Sequence, residues 1–355
     1  MKKIEIEDDG SIHIASADPE ATKKAIRSEM NFEFEKRLAI ENAEQERKNT
    51  MVQQEKQKQK VILGFVCLFL IVVIVFASFM FKRWRTTQKQ KQIIEKQKEK
   101  IVDSINYAQR IQHSILKDES EIRNNLPNSF IYFQPKDIVS GDFYWCSKIG
   151  DKVVIAAVDC TGHGIPGAFM SMIGNTLLNE IVNEKHITTP SHILELLNLG
   201  IYKALNQEKD GALSDDGMDL GLCCIDYGNH IVQYAGAQNT LYVLSDGQIE
   251  TIKGDIHGIG GGMLAKIYNP VKKEYTNHIL PVKKDMCIYL FSDGYVDQFG
   301  GPGRKKFGAQ RFKELLLNNQ HLEMQKQKEV IVLEHLKWKG DGVQIDDILV
   351  IGIKV

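Results

Sequence analysis

Four aspartates stand where they could do chemistry together. Asp142 follows a glycine in SGDFYW, Asp159 ends the apolar run VVIAAVD, and Asp293 ends CIYLFSD; Asp346, with Asp347 beside it, opens DDILVIGI. Each lies at the end of an expected strand, so side chains from different strands can converge on one mouth of a sheet. Carboxylate oxygens are hard ligands suited to Mg²⁺ or Mn²⁺. Without a cation, such a group would repel itself, each member raising its neighbours' pKa.

The competing explanation is turn chemistry. Asp-Gly is a common turn dipeptide, and the chain has six, at positions 9, 210, 216, 246, 293 and 341. After Asp246 the segment QIETI returns at once as a strand, so a hairpin accounts for it. After Asp293 comes YVDQFGGPGRKKFG, a long loop with no returning strand, and the turn reading is weaker there.

Other chemistries can be tested on the same residues. GHGIPG, following Asp159, fits G-x-G-x-x-G, but no acidic residue closes a second strand about twenty residues on, and the βαβ context fails. Pro166 suits the first turn of a helix but removes an amide from any phosphate cradle. None of the six cysteines is followed by arginine six positions on, which excludes a cysteine-dependent phosphatase; Cys160 reads as a small residue at a tight site. His163, flanked by Gly162 and Gly164, is a proton donor or a loop residue. His113 in RIQHSILK would be the phosphoacceptor of a histidine kinase, yet no Asn-rich helix or Gly-rich lid accompanies it.

The elements that must position these residues begin near residue 121, where strand-like and helix-like segments mix. FIYFQP, DKVVIAAVD, MDLGLCCIDY, HIVQYAG, TLYVLS, QIETIK, EYTNHILP, MCIYLFS and DDILVIGIKV read as strands, joined in part by the short turns YGNH and SDGQ, which favour antiparallel pairing. Helices are expected near 166–184, 190–206, 309–318 and 322–338. The fold class is α+β.

Before this domain the chain is organised around a membrane-like segment. MKKIEIEDDGSIHI alternates about a turn, and residues 19–60 read as a charged helix. Residues 61–81, VILGFVCLFLIVVIVFASFMF, hold no charge, and about 1.5 Å per residue carries them across a bilayer of roughly 30 Å. Eight Lys or Arg follow in the next 19 residues, against five in the 19 before, which places the C-terminal side in the cytoplasm. Residues 82–120 form a helical linker in which Ile94, Ile101, Ile105, Ala108 and Ile115 make a heptad-like stripe, interrupted by Gln112. A dimeric stalk and a helix packed on its own domain both fit. With 45 basic against 46 acidic residues, nothing indicates nucleic acid.

YFQPKDIVSGDFYW, VVIAAVDCTGHGIPGAFMSMIGNTLLNEIV, MDLGLCCID, QYAGAQNTLYVL, IYLFSDGYVDQFGG and QIDDILVIG, in this order, resemble the SpoIIE/RsbU-like branch of the metal-dependent type 2C protein phosphatases. The resemblance runs from about Ser104 to Val355. It implies an α-β-β-α sandwich of two antiparallel sheets over 121–355 and hydrolysis of phosphoserine or phosphothreonine by a water activated between two Mn²⁺ or Mg²⁺ ions. It implies Asp142, Asp159, the Cys160 backbone carbonyl, Asp293 and Asp346 as metal ligands. Asp347 supports them, and Gly162, Gly164 and Gly294 let backbone approach the centre. Asp159 and Asp293 carry the catalysis, with His163 a further candidate, although it is offset by one residue from the general-acid histidine of the animal-type branch. The implied substrate is a phosphorylated STAS-type anti-sigma-factor antagonist. The whole would be a single-pass protein of the inner, cytoplasmic membrane with its phosphatase domain inside, able to dimerise through the stalk. A catalytically silent partner-binding domain is the alternative. Thr240, where relatives usually show proline, and IHGIGGGM, looser than their Pro-Ile-Gly, are departures.

Overall fold

The computed structural model describes residues 4–6, 12–14, 19–207, 214–261 and 273–355. The turn expected around Asp9, the Asp210-Gly211 dipeptide and the end of IHGIGGGM lie outside the described residues. The chain divides into two units, Met1–Glu95 and Lys96–Val355.

In the first unit, strands β1 (Ile4–Ile6) and β2 (Ile12–Ile14) pair antiparallel. Helix α1 (Pro19–Ile115) follows and continues into the second unit. It is long and apolar enough to cross a membrane, and none of its apolar window is buried. Phe65, Phe69, Ile74 and Phe76 are all exposed. A helix satisfies its own backbone hydrogen bonds, so such an apolar surface is compatible with lipid.

The second unit continues with α2 (Glu119–Asn125), β3 (Ser129–Gln134), β4 (Phe143–Ile149), β5 (Lys152–Cys160), α3 (Gly164–Leu178), extended by a π-helical turn Asn179–Glu184, and α4 (Pro190–Ala204). Then come β6 (Gly217–Asp226), β7 (Ile231–Ala237), β8 (Thr240–Ser245), β9 (Gln248–Lys253), β10 (Ile259–Gly260), β11 (His278–Pro281) and β12 (Cys287–Phe291). The last elements are α5 (Gly294–Asp297), the strands β13 (Phe299–Gly300) and β14 (Lys305–Lys306), α6 (Ala309–Asn319), α7 (Met324–Lys339) and β15 (Ile348–Lys354). One sheet has the order β11-β7-β6-β5-β4, with β10 on β6; the other has β3-β15-β12-β8-β9. Every ladder in them is antiparallel.

Strand periodicity explains the layering. Along β5, Val153, Ile155 and Ala157 face the second sheet, meeting Leu241, Ile288 and Ile351. Val154, Ala156 and Val158 face α3 and α4, meeting Met170, Leu178, Ile193 and Leu197. A strand covered on both faces must be apolar throughout, which is why VVIAAV shows no alternation. The second sheet's outer face, with Tyr132 and Tyr289, packs on Phe312, Leu316 and Ile331 of α6 and α7. The result is the expected α-β-β-α sandwich. Each fully buried Ile, Leu or Val contributes on the order of 1.5–3 kcal/mol, so three such layers hold the sheet ends in place.

Several elements differ from the expectation. Asp142 marks only the start of a strand in the sequence; that strand, β4, pairs along its full length with β5, from Phe143 opposite Val158 to Ile149 opposite Lys152. EYTNHILP contributes only its last four residues as a strand. The loop expected after Asp293 holds a helical turn and a small hairpin. Helix α3 starts at Gly164, so Pro166 falls in its first turn, where the missing amide has no partner to lose. The stalk stripe is divided: Ile105, Ala108 and Ile115 are half-buried and Gln112 is buried, whereas Ile94 and Ile101 are exposed. Its C-terminal end therefore packs on its own domain.

Candidate metal centre

The site forms at one end of the two sheets. Asp159 is the penultimate residue of β5; on the neighbouring β6, Asp219 stands directly opposite it in register. Asp293 leaves β12 and caps α5, and Asp346 precedes β15, the strand paired with β12. Asp159, Cys160, Thr161, Gly162, His163, Asp219, Asp293 and Asp346 line a cavity of about 210 Å³. Asp142 precedes β4 and does not line the cavity; it is buried, and the Asp159 charge acts on it. The structure thus brings together Asp159, Asp293 and Asp346, with Cys160 and His163 on the same wall.

Loop geometry around these residues depends on backbone packing. Gly162 has φ +81°, a left-handed conformation that only glycine adopts without strain. A Cβ on Gly141 or Gly167 would collide with the Gly162 carbonyl oxygen, and one on Gly294 with that of Asp347. The loop carrying Asp142 is therefore pressed against the loop after Asp159. Asp347 fastens the former: its Oδ1 accepts from Lys136 N at 2.7 Å and its Oδ2 from Gly141 N at 2.8 Å. Asp346 Oδ1 in turn accepts from Asp347 N at 2.9 Å. Thr240 is also accounted for, since its amide donates to Asn239 Oδ1 at 2.7 Å, a bond proline cannot make.

The electrostatics are those of crowded acids. Burial, then the Asp159 charge, pushes Asp142 well above the usual carboxylate range. Burial and Asp293 push Asp159 up to about 7 and Asp219 up to about 6. Asp293 is raised by burial and by Asp346. Asp142 Oδ2 is buried with no hydrogen-bond partner. Among the described residues, no three His, Cys, Asp or Glu side chains already stand in ligating geometry about one point. An oxygen-only donor set, mutual repulsion and an orphaned buried carboxylate oxygen nevertheless fit hard divalent cations. The Cys160 thiol, fully buried and raised by desolvation, offers no thiolate, so only its backbone carbonyl suits such an ion.

Two polar residues of the site escaped the sequence reading. Asp219 sits among Met218, Leu220 and Leu222, all buried, and a single acid interrupting the apolar run GMDLGLCC was the available signal. The Asp137 carboxylate, 26 positions before His163, accepts a hydrogen bond from its Nδ1 at 2.8 Å; no spacing announces that pair. His113 is exposed, on α1, and does not line the cavity.

Two stacked antiparallel sheets flanked by helices, with carboxylates gathered at one edge of the sandwich, define a metal-dependent protein phosphatase of the PP2C class. The chain belongs to the SpoIIE family: residues 149–355 match the family model for Stage II sporulation protein E (SpoIIE). It is similar to the SiaA-PP2C domain of Pseudomonas aeruginosa, at 30% identity and a TM-score of 0.65, covering 73% of this chain and 98% of that one. A fold likeness extends to the RsbU and RsbW domains of Rv1364c from Mycobacterium tuberculosis, at 17% identity and a TM-score of 0.50, covering 64% of this chain and 60% of that one. No curated protein matches the chain. It is a protein serine/threonine phosphatase, and phosphatases of this type depend on divalent metal.

Proposed function

We propose that Asp142, Asp159, the Cys160 carbonyl, Asp293 and Asp346 would hold two Mn²⁺ or Mg²⁺ ions. The observation that carries this is that Asp159, Asp293 and Asp346 line one cavity, backed by the partnerless buried Oδ2 of Asp142. When bound, two such ions acidify a shared water and offset charge on the phosphoryl oxygens. The protein's own groups do the rest. Asp347 keeps the Asp142 loop in place through two backbone amides. Gly162 supplies a left-handed turn in the cavity wall, Gly164 leaves room for Asp137, and Gly294 lets the Asp347 backbone pack close. His163, at the cavity wall and paired with Asp137, donates a proton to the departing serine or threonine oxygen.

The substrate is a phosphoprotein of STAS type, in keeping with the likeness to a chain whose title names RsbU and RsbW domains together. Residues 61–81 anchor the chain once in the inner membrane, with residues 121–355 as the cytoplasmic phosphatase domain and residues 1–60 as a separate charged segment. The exposed Ile94 and Ile101 of the 82–120 linker are where a second copy would pair. The test is turnover of p-nitrophenyl phosphate and of a phosphoprotein with and without Mn²⁺; activity that survives both EDTA and Asp293→Asn would overturn the metal reading.

A further inference from the structure

The walls of the cavity are acidic, yet the segment leaving it is strongly basic. From Asp293 the chain makes the single turn of α5 and then the β13–β14 hairpin, whose tip reads Gly301-Pro302-Gly303-Arg304 and runs into Lys305 and Lys306. Every residue from Gly301 to Lys306 is exposed. Between Gln298 and Gly308 there are three cations and no acid.

This hairpin is held firmly. Gly301 N donates to Trp338 O at 2.9 Å, and a Cβ on Gly300 or Gly301 would strike Trp338. Phe307 N donates to Gln298 O and Gly308 N to Val296 O, at 2.9 and 2.8 Å. Trp338 is itself fixed, its Nε1 donating to Gln298 O at 3.0 Å while Arg311 stacks on its ring. Lys306 Nζ then binds Asp297 Oδ2 at 2.6 Å, and Asp297 N bonds back to Asp293 O at 2.9 Å. The Lys306–Asp297 ion pair and the Asp297 N–Asp293 O bond therefore tie the basic hairpin, through one helical turn, to a residue of the cavity. The Lys306 charge is felt at Asp293. Among the described residues Lys306 has an ion-pair partner, whereas Arg304 and Lys305 have none.

We infer that the β13–β14 hairpin is a docking arm for an acidic segment of the phosphoprotein substrate, flanking the phosphorylated residue. This rests on the phosphatase reading above and adds the charge preference of that same site. An extended substrate advances about 3.3 Å per residue, so acids a few positions from the phosphoserine can reach a hairpin joined to Asp293 through α5. Complementary charge at that distance steers encounter and acts on KM, and salt screens it.

The experiment uses the full chain in non-ionic detergent with Mn²⁺. Substrates are p-nitrophenyl phosphate and two phosphoserine peptides differing only in flanking Asp/Glu against flanking Ser/Gln. The variant is Arg304→Asn with Lys305→Gln; asparagine tolerates the φ of +46° at position 304, and neither side chain is buried. The expected result is a preference of about tenfold in kcat/KM for the acidic peptide, carried by KM and reduced by raised salt. The variant should lose most of it while p-nitrophenyl phosphate turnover is unchanged. Equal rates on both peptides, or a preference that persists in the variant, overturn the inference. So does the finding that the variant loses only binding to phosphatidylserine vesicles, which would make the hairpin a membrane contact. Absence of p-nitrophenyl phosphate turnover in the unaltered chain would instead strike the phosphatase reading itself.

Discussion

Gln112 of the stalk helix is hydrogen-bonded on both sides of its amide to the backbone of Ser140, two residues before Asp142. Its Nε2 donates to Ser140 O at 2.7 Å, and its Oε1 accepts from Ser140 N at 3.2 Å. The same Nε2 reaches Ser171 Oγ on α3 at 2.9 Å. One buried side chain thus joins the stalk, the Asp142 loop and the helix that follows Asp159. A polar residue at an apolar position of the stripe is explained by this contact.

Gln112→Ala should leave the Ser140 amide and carbonyl without protein partners in a buried place, at about 1–3 kcal/mol for each group. The expected outcome is a lower Tm and weaker Mn²⁺ binding, with phosphatase activity restored in part at saturating Mn²⁺. Calorimetric titration of the full chain with Mn²⁺ checks it. An unchanged Mn²⁺ affinity would show that the stalk contact does not bear on the metal centre.

Proton and metal should compete. Asp159 and Asp219 have folded pKa values raised to about 7 and about 6, above those of an unfolded carboxylate. A raised acid favours the folded state when protonated, so this stabilisation is full below about pH 4 and is lost as pH rises through about 7. Metal-free protein should accordingly gain in Tm, from these groups, as pH falls from 8 to 6. Over the lower part of that range Mn²⁺ affinity should fall by about tenfold per pH unit, because each ion must displace a proton. Thermal scans with and without Mn²⁺ at each pH read both trends, and parallel curves would contradict them.

How much of this was legible in the sequence follows from where each signal lies. The apolar runs at β5 and β12 stop at Asp159 and Asp293, and that of β15 starts just after Asp346, so both strand and site residue are visible in one stretch. Residues such as Gln112 and Asp137 act through contacts 28 and 26 positions away, and nothing local marks them. Asp219 falls between these cases: the acid is conspicuous within its strand, but its value comes from lying opposite Asp159 in the ladder. The hairpin after Asp297 looks like loop in the sequence because its strands are two residues each, too short for any alternation to show.

Asp219→Asn separates repulsion from ligation. Removing one of the facing carboxylates relieves charge on Asp159 and Asp293, so metal-free protein should gain about 1 kcal/mol or less in stability. If Asp219 also helps to hold cations, the Mn²⁺-induced rise in Tm should shrink and kcat/KM fall roughly tenfold. Both readouts come from one pair of thermal scans and one steady-state assay. A gain in stability with undiminished response to Mn²⁺ would assign Asp219 to the cavity wall alone.

The pairing of His163 with Asp137 predicts a dependence on the leaving group. The carboxylate lies 2.8 Å from Nδ1, and His163 lines the cavity, so the ring is oriented by one nitrogen and leaves the other for substrate. A serine alkoxide is a poor leaving group and needs a proton as the phosphorus–oxygen bond breaks, whereas p-nitrophenolate leaves unaided. General acid catalysis typically contributes about 10²–10⁴-fold, so His163→Gln should lower kcat on a phosphoserine peptide by roughly a hundredfold. On p-nitrophenyl phosphate the same substitution should cost less than about threefold. Asp137→Asn should follow the same pattern with smaller amplitude, because it only orients the ring. A residue that merely shaped the TGHGIPG loop would, when replaced, slow both substrates equally. An equal loss on the two would therefore remove His163 from the chemistry and leave it a loop residue.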